Sequence, residues 1–338
     1  MKKYNVAILG ASGAVGQAMI KGLEERNFPI QQLKLLASKK SAGKAITFHN
    51  QTLTIEEANE TSFEGMDIVL GAVSNSLSKK FVPFIQKAKA LYIDNSSAFR
   101  LDENVPLVIP EINPKDIKLH QGIIANPNCS TIIALTAINA IHQHSPIEKM
   151  IVSTYQAVSG AGNEGMLELI EQVTNMIENK PIEPHIFAKQ IAYNLIPQIG
   201  SFDESGYSDE EMKMQNEGRK ILHSKNLKVN CTCVRVPVLR SHSISITLIT
   251  SDKCEIDEVK EWIKNAKGCK LVDQPEMNIY PTPLDSSNQD LIHVGRIRQD
   301  LCNDNGIALW CCGDQIRKGA AINAIQIAET YIQTLKQS

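Results

Sequence analysis

What this chain lacks narrows its class before any motif is read. No run approaches the ~18 apolar residues that a membrane span needs, so a membrane-bound reading is not expected. The opening Met1-Lys2-Lys3 followed by the apolar stretch Tyr4–Leu9 has the order of a secretory leader, but the stretch stops at Gly10, short of a leader's apolar core. Neither charge sign is in excess: 35 lysines and arginines stand against 37 acidic residues, a net charge of −2. Such a balance offers no general field for nucleic acid or an anionic lipid surface, so any anion site must be built locally. The 8 cysteines show no regular spacing, which fits thiols kept reduced in the cytoplasm better than a disulfide framework. Internal repeats and low-complexity segments are absent too.

What is present is an ordinary globular composition, 43% hydrophobic and 21% charged, in a chain of 338 residues, long enough for about two domains. Tyr4–Leu9 is apolar and β-branched, and a Gly-rich turn and a helical pattern from Ala14 to about Arg26 follow it. Leu33–Ala37, Asp67–Val73 and Leu91–Asp94 read as strands, with a helix over Leu77–Lys89. Strands alternating with helices predict βαβ units around a parallel sheet. From Met150 the texture changes to long β-branched stretches, Met150–Val158, Val229–Val238 and Ser243–Thr250, with a further strand at Gly306–Cys312 and an amphipathic helix from Ile316 to about Leu335. The fold class expected is α/β: a Rossmann-type doubly wound domain, plus an α+β domain with a mixed sheet. The boundaries expected are 1–128 with 314–338 for the first, the C-terminal helix returning to it, and 129–313 for the second.

Gly10-Ala-Ser12-Gly13-Ala14-Val15-Gly16 lies between a strand and a helix, where small residues admit a pyrophosphate to the helix N-terminus. A tight turn without a ligand is the alternative. NAD-binding domains place a carboxylate on the second strand for the ribose 2′-hydroxyl; this chain has Ser38, Lys39, Lys40 and Ser41 there. Hydroxyls and cations suit a 2′-phosphate, so the cofactor expected is NADP, the alternative being a solvated lysine pair.

Asn126-Pro127-Asn128-Cys129 precedes the apolar run Ile132–Ile141, which puts Cys129 in the first turn of a helix. A helix N-terminus stabilises a thiolate, the reactive form of cysteine. Cys231 and Cys233 alternate on a strand and read as core residues rather than as a metal pair; no metal site is expected. A thiol nucleophile calls for a proton shuttle. His242, following Arg235 and Arg240 at the mouth of a β-branched strand, fits that role; a satisfied structural histidine is the alternative.

GASGAVG at the start, DNSSAFR at 94–100, NPNCST at 126–131, TYQAVSGAG at 154–162, EEMKM at 210–214, RVPVLRSHS at 235–243 and GDQIRKGAA at 313–321 occur in this order. Together they resemble the aspartate-semialdehyde dehydrogenase family over essentially the whole chain. The resemblance implies a homodimer that converts 4-phospho-L-aspartate and NADPH reversibly to L-aspartate 4-semialdehyde, phosphate and NADP, on the route to lysine, threonine and methionine. It implies Cys129 as the acyl-thioester nucleophile and His242 as the acid/base. Gln156 would orient the substrate, Arg235 clamp its carboxylate and Glu210 hold its ammonium. Arg100 and Lys213 would bind phosphate, with Asn128 as a further polar contact. Gly10, Ser12, Gly13, Ala14, Val15, Ser38, Lys40 and Ser41 would hold the cofactor, and Ser159, Gly160 and Gln315 its nicotinamide end. Two positions depart from the family's usual pattern: Ser12 stands for threonine, which keeps the hydroxyl, and Lys40 for arginine, which keeps charge without the planar fork.

Two enzymatic rivals share the thioester logic. N-acetyl-γ-glutamyl-phosphate reductase takes a longer, N-acylated substrate and needs no Glu210; an acylating dehydrogenase that uses coenzyme A needs no phosphate pair. From another class, a non-catalytic NADP-binding regulator has no use for Cys129, Gln156, Arg235 and His242 together.

Overall fold

A computed structural model describes residues 2–337. The chain divides into two compact units, one running to Asn128 and resuming at Ala320, the other spanning Cys129–Gly319.

The first unit opens with β1 (Tyr4–Leu9), α1 (Ala14–Glu25) and β2 (Ile30–Ala37). A hairpin follows, β3 (Ala45–Phe48) and β4 (Gln51–Glu57), then β5 (Ile68–Gly71), α2 (Asn75–Lys87), β6 (Leu91–Asp94) and β7 (Ile123–Ala125). The seven strands lie in the order β3-β4-β2-β1-β5-β6-β7. All neighbours are parallel except the β3–β4 hairpin, which extends the edge beyond β2. Strands covered on both faces must be apolar throughout, and β5 and β6 are buried at every residue. The turn from β1 to α1 depends on Gly10, whose φ of 94° is left-handed and where a Cβ would lie 2.2 Å from the Ala72 carbonyl oxygen.

The second unit begins with α3 (Cys129–His144) and β8 (Ile147–Ala157), then α4 (Gly162–Ile177), α5 (Asp209–Ile221), β9 (Lys228–Val236) and β10 (His242–Thr250). It continues through α6 (Ile256–Lys264), β11 (Cys269–Leu271), the short α7 (Pro283–Ser286), β12 (Ile292–Gln299) and β13 (Gly306–Gly313). The six-stranded sheet runs β11-β12-β13-β10-β8-β9 and is mixed: β8–β9 and β11–β12 are parallel, the rest antiparallel. α3 packs on β8, β10, β12 and β13 and against α5 and α6. It is therefore apolar all round rather than on one stripe. The opposite face of the sheet presents Ser153 and Ile151 of β8, with Ile151 about half exposed, and a Tyr155–Trp310 ring pair with centroids 5.4 Å apart.

A π-helical turn, Arg317–Ala321, leads into α8 (Ile322–Gln337), where an uninterrupted α-helix from Ile316 was expected. Ile322, Ile325, Ala328 and Ile332 of α8 join Ile8, Met19, Leu23 and Ile93 in the core of the first unit. The doubly wound α/β unit and the mixed-sheet unit are the fold class that the alternation of patterns predicted. The β3–β4 hairpin was not predicted, because it is a short edge element that is mostly exposed and carries little apolar signal.

Candidate active site

In the first unit, the carboxyl ends of β1, β2 and β4 border a cavity of about 440 Å³ lined by Gly10, Ser12, Gly13, Ser38, Lys39 and Glu57, with Lys80 and Phe81 from α2. α1 starts here with no side-chain cap at Gly13 and no acidic residue in its first turn, a helix start whose N–H groups and dipole suit an anion. Ala14 and Val15 form that first turn. These residues fit the pyrophosphate and adenosine portion of a dinucleotide: a glycine cradle too tight for a side chain, an uncapped helix start and two ammonium groups. Lys40 and Ser41 lie in the turn after β2 and are not part of the cavity lining; Lys39 is. Glu57 and Lys80 escaped the sequence reading because they arrive from β4 and α2. The parallel register that pairs Ala37 with Glu57 carries the carboxylate to the end of β2.

Also in the first unit, Asp94 at the end of β6 is fully buried and accepts hydrogen bonds from Ser78, Tyr92 and Ser96. Burial and the Asp94 charge push the Tyr92 hydroxyl's pKa up. The bend after β6 orders Arg100, which donates from Nε to the Asn126 carbonyl (3.0 Å) and from Nη2 to the Asn95 carbonyl (2.8 Å). Asn126 is itself held by Asn323 of α8, Nδ2 to Oδ1 at 2.7 Å. Asn128, buried, ends this segment immediately before the thiol in sequence.

In the second unit the site forms at one edge of three neighbouring strands. β8 and β9 are parallel, so their carboxyl ends bring Gln156 and Arg235 side by side in register. β10 runs the other way and begins at that edge with His242. Cys129, the first residue of α3, points its Sγ at His242 Nε2, 3.4 Å away. The Ala157 N–H donates to His242 Nδ1 at 3.1 Å, leaving the ring proton of the neutral imidazole at Nε2, toward the sulfur. His242 is wholly buried, and burial together with the nearby Arg235 pushes its pKa down to about 3. It therefore rests neutral.

Arg235 donates from Nη1 to the Ala157 carbonyl (2.8 Å), and its guanidinium lies over the Phe187 ring at 5.8 Å. Its backbone pairs both ways with Ile196. Burial lowers its pKa, and the charges of Glu210 and Cys129 oppose that shift. The loop carrying Phe187 and Ile196 is tied to α4: Glu168 accepts from the His185 and Ile186 amides, and Gln172 from those of Ile191 and Ala192. Glu210 is placed by the capping box of α5, in which Ser208 and Glu211 satisfy each other's backbone N–H. Glu211 also accepts from the Cys233 amide (2.9 Å), which docks the helix start on β9. Glu210 then accepts from Gln156 Nε2 (3.1 Å) and from Lys213 Nζ (2.9 Å). Thr154 donates to Gln156 Oε1 (3.0 Å) and so fixes which end of that amide faces the site.

Ser159 and Gly160 occupy a 3₁₀ turn after β8. A Cβ on Gly160 would meet Arg235 Nη1 at 2.6 Å, so the position has no room for a side chain. Gln315 donates to Ser159 Oγ and accepts from the Ser241 amide (2.9 Å). The second unit thus gathers Cys129, Gln156, Glu210, Lys213, Arg235 and His242: a thiol at a helix start, an imidazole at its side, an amide, two cations and a carboxylate. Thr154, Phe187 and the Glu168–Gln172 supports were not singled out from sequence; Thr154 could have been, since it shares a face of β8 with Gln156.

Comparisons with known proteins find relatives over nearly the whole chain. Residues 5–120 match the family model "Semialdehyde dehydrogenase, NAD binding domain", and residues 138–318 match "Semialdehyde dehydrogenase, dimerisation domain". The chain is similar to aspartate-semialdehyde dehydrogenase of Bacillus subtilis, 48% identical over 96% of each chain. It is also similar to that of Synechocystis, 47% identical over 97% of each. Among solved structures, aspartate semialdehyde dehydrogenase II of Vibrio cholerae complexed with ASA superposes with a TM-score of 0.96 at 40% identity, covering 98% of this chain and 99% of that one.

Proposed function

The chain belongs to the aspartate-semialdehyde dehydrogenase family, and from that premise we propose how its own residues carry out an NADP-dependent, phosphate-linked interconversion of L-aspartate 4-semialdehyde and 4-phospho-L-aspartate. The observation that carries the reading is the Cys129–His242 pair, Sγ to Nε2 at 3.4 Å, with Arg235 and Glu210 beside it.

In the oxidative direction the Cys129 thiolate, favoured by the α3 N-terminus and by Nε2–H, adds to the aldehyde carbon. Arg235 takes the substrate carboxylate in a bidentate pair, Glu210 its ammonium, and Gln156 fixes the chain between them, so that binding at the charged end positions the reacting carbon. The hemithioacetal oxygen forms against Nε2–H. Nε2–H stabilises this oxyanion by donating a hydrogen bond; the oxyanion collapses to the thioester as the hydride leaves, and in the reductive direction the same donor meets the oxyanion that hydride addition creates. The nicotinamide cofactor supplies the hydride acceptor, or the donor in reverse. Phosphate, for which Lys213 offers a cation, then attacks the thioester; the acyl–oxygen bond forms as the acyl–sulfur bond breaks, and the thiolate is regenerated.

The cofactor would lie with its pyrophosphate on Gly10–Val15 and its adenosine by Ser38. Lys39 and Lys80 favour a 2′-phosphate, with Lys40 and Ser41 in the adjoining turn. Glu57 shares the adenosine cavity, and it supports some turnover with NAD. Substituting Glu57→Gln tests this: we expect the NADP-to-NAD ratio of kcat/KM to rise several-fold, and an unchanged ratio removes Glu57 from the cofactor site. The dimerisation-domain match and the open apolar face of the second sheet support a homodimer. Among the described residues no cysteine is in a disulfide, which fits a reducing compartment such as the cytoplasm. The experiment that tests the whole reading is substrate-protected alkylation mapped to Cys129: fast labelling that aspartate semialdehyde suppresses is expected, and labelling spread over other thiols contradicts it.

A further inference from the structure

Ser241, the residue before His242, is buried with a backbone φ of 70°. A left-handed serine is disfavoured and persists only where its surroundings impose it. Here the surroundings are specific. The Ser241 N–H is received by Gln315 Oε1 at 2.9 Å. Next to it, Arg240 pairs with the fully buried Asp314, Nε to Oδ2 at 2.6 Å. The Ser287 hydroxyl donates to the Pro283 carbonyl (2.8 Å) and its oxygen lies 3.2 Å from the Ser241 hydroxyl. Asp314 in turn accepts from the Ile316, Arg317 and Asn288 amides, so its carboxylate cannot swing away without breaking several bonds. At the other end of the same segment, Gly319 approaches the nucleophile so closely that a Cβ there would lie 3.0 Å from Cys129 Cβ. Residues 314–319 therefore reach Cys129 directly and His242 through Arg240 and Ser241, the residues before it.

We propose that Gln315 is a positioning residue: with Asp314 it holds the Arg240–Ser241 backbone in the left-handed turn that aims His242 Nε2 at Cys129. This rests on the reading of Cys129 as nucleophile. It gives Gln315 a task that does not involve the cofactor, since both ends of its carboxamide are engaged by Ser159 and Ser241. If the turn relaxes, Nε2–H leaves the sulfur and the thiolate loses a hydrogen-bond donor. The charged groups that bear on His242 are Arg235 from β9 and Glu210 from α5, and both stay in place when residue 241 or 315 is the one replaced.

The test uses the full-length protein without cofactor or substrate. Its rate of alkylation by iodoacetamide is followed against pH, with the label mapped to Cys129. In Gln315→Ala we expect the inflection to move up by about one pH unit, which is ~tenfold less thiolate below it. Ser241→Val, which cannot adopt the left-handed turn without strain, should shift it in the same direction. Ser241→Gly should keep the original inflection, because glycine takes that turn freely and still presents its N–H. A wild-type inflection in Gln315→Ala, with only cofactor binding weakened, overturns the proposal and leaves Gln315 a cofactor contact. Shifts in Ser241→Gly equal to those in Ser241→Val overturn it too, by assigning the effect to the lost hydroxyl. Absence of fast Cys129 labelling in the unaltered protein overturns the nucleophile reading first, and this inference with it.

Discussion

Cys129 and His242 are chemically useful because each sits where its charge state is biased. The thiol stands at a helix start, and the imidazole is buried so deeply that it stays neutral. Cys129→Ser should lower turnover by ~1,000-fold or more, since a serine hydroxyl has neither the thiol's acidity nor its nucleophilicity, while cofactor affinity measured by fluorescence titration stays within a few-fold. Arg235→Lys keeps charge but loses the fork, and a single ammonium cannot pair with a carboxylate and with the Ala157 carbonyl in the same geometry. We expect kcat/KM for the semialdehyde to fall ~100-fold, about 2.7 kcal/mol of transition-state stabilisation; a change under threefold would remove Arg235 from the site. His242 also carries a stability signature. Unfolded, it titrates at its ordinary 6.5; folded, only at about 3. Between those values the unfolded chain holds the extra proton, so stability falls as pH falls, by up to ~1.4 kcal/mol per unit from this residue, and the term vanishes above 6.5. Urea denaturation of His242→Asn should therefore show a shallower acid loss than the unaltered protein, and parallel curves would contradict the burial argument. At this scale the sequence was informative where a role depends on immediate neighbours, as for Cys129 after Asn126-Pro127-Asn128. It was silent on Glu57 and Lys80, which share a cavity with residues far from them in the chain, and it favoured Lys40 where the cavity lining contains Lys39.

Among the elements, α5 shows how a local rule becomes a functional distance. Its capping box fixes the first turn, and the Glu211 bond to the Cys233 amide seats that turn on β9. Ser208→Ala removes the cap acceptor and should cost about 1 kcal/mol of stability. Because Glu210 moves with the frayed turn, KM for the semialdehyde should rise several-fold while cofactor KM stays put. Equal rises in both would point to general loosening rather than to a displaced Glu210. The Ser208-x-x-Glu211 spacing was there to be read, as was the strand of His242. The π-helical turn at Arg317–Ala321 was not, because its periodicity departs from a helix by a single residue over one turn. The β3–β4 hairpin was hidden for another reason: an exposed edge element buries too little to leave an apolar pattern.

For the molecule as a whole, composition and alternation were enough for the class of fold, since a parallel sheet buried on both faces and a mixed sheet covered on one face impose different strand patterns. The open face of the second sheet, with Ile151 and the Tyr155–Trp310 pair, is where a homodimer would bury apolar surface. Ile151→Glu should weaken association at least tenfold in sedimentation measurements, and an unaltered dissociation constant would place the interface elsewhere. The central claim, acyl transfer through Cys129 to phosphate, is tested most directly by mixing the purified protein with L-aspartate 4-semialdehyde and NADP and following the reduced cofactor with and without phosphate. We expect reduction that depends on phosphate and is lost in Cys129→Ser. Reduction that proceeds equally well without phosphate, that requires coenzyme A, or that occurs only with N-acetylglutamate semialdehyde would contradict it.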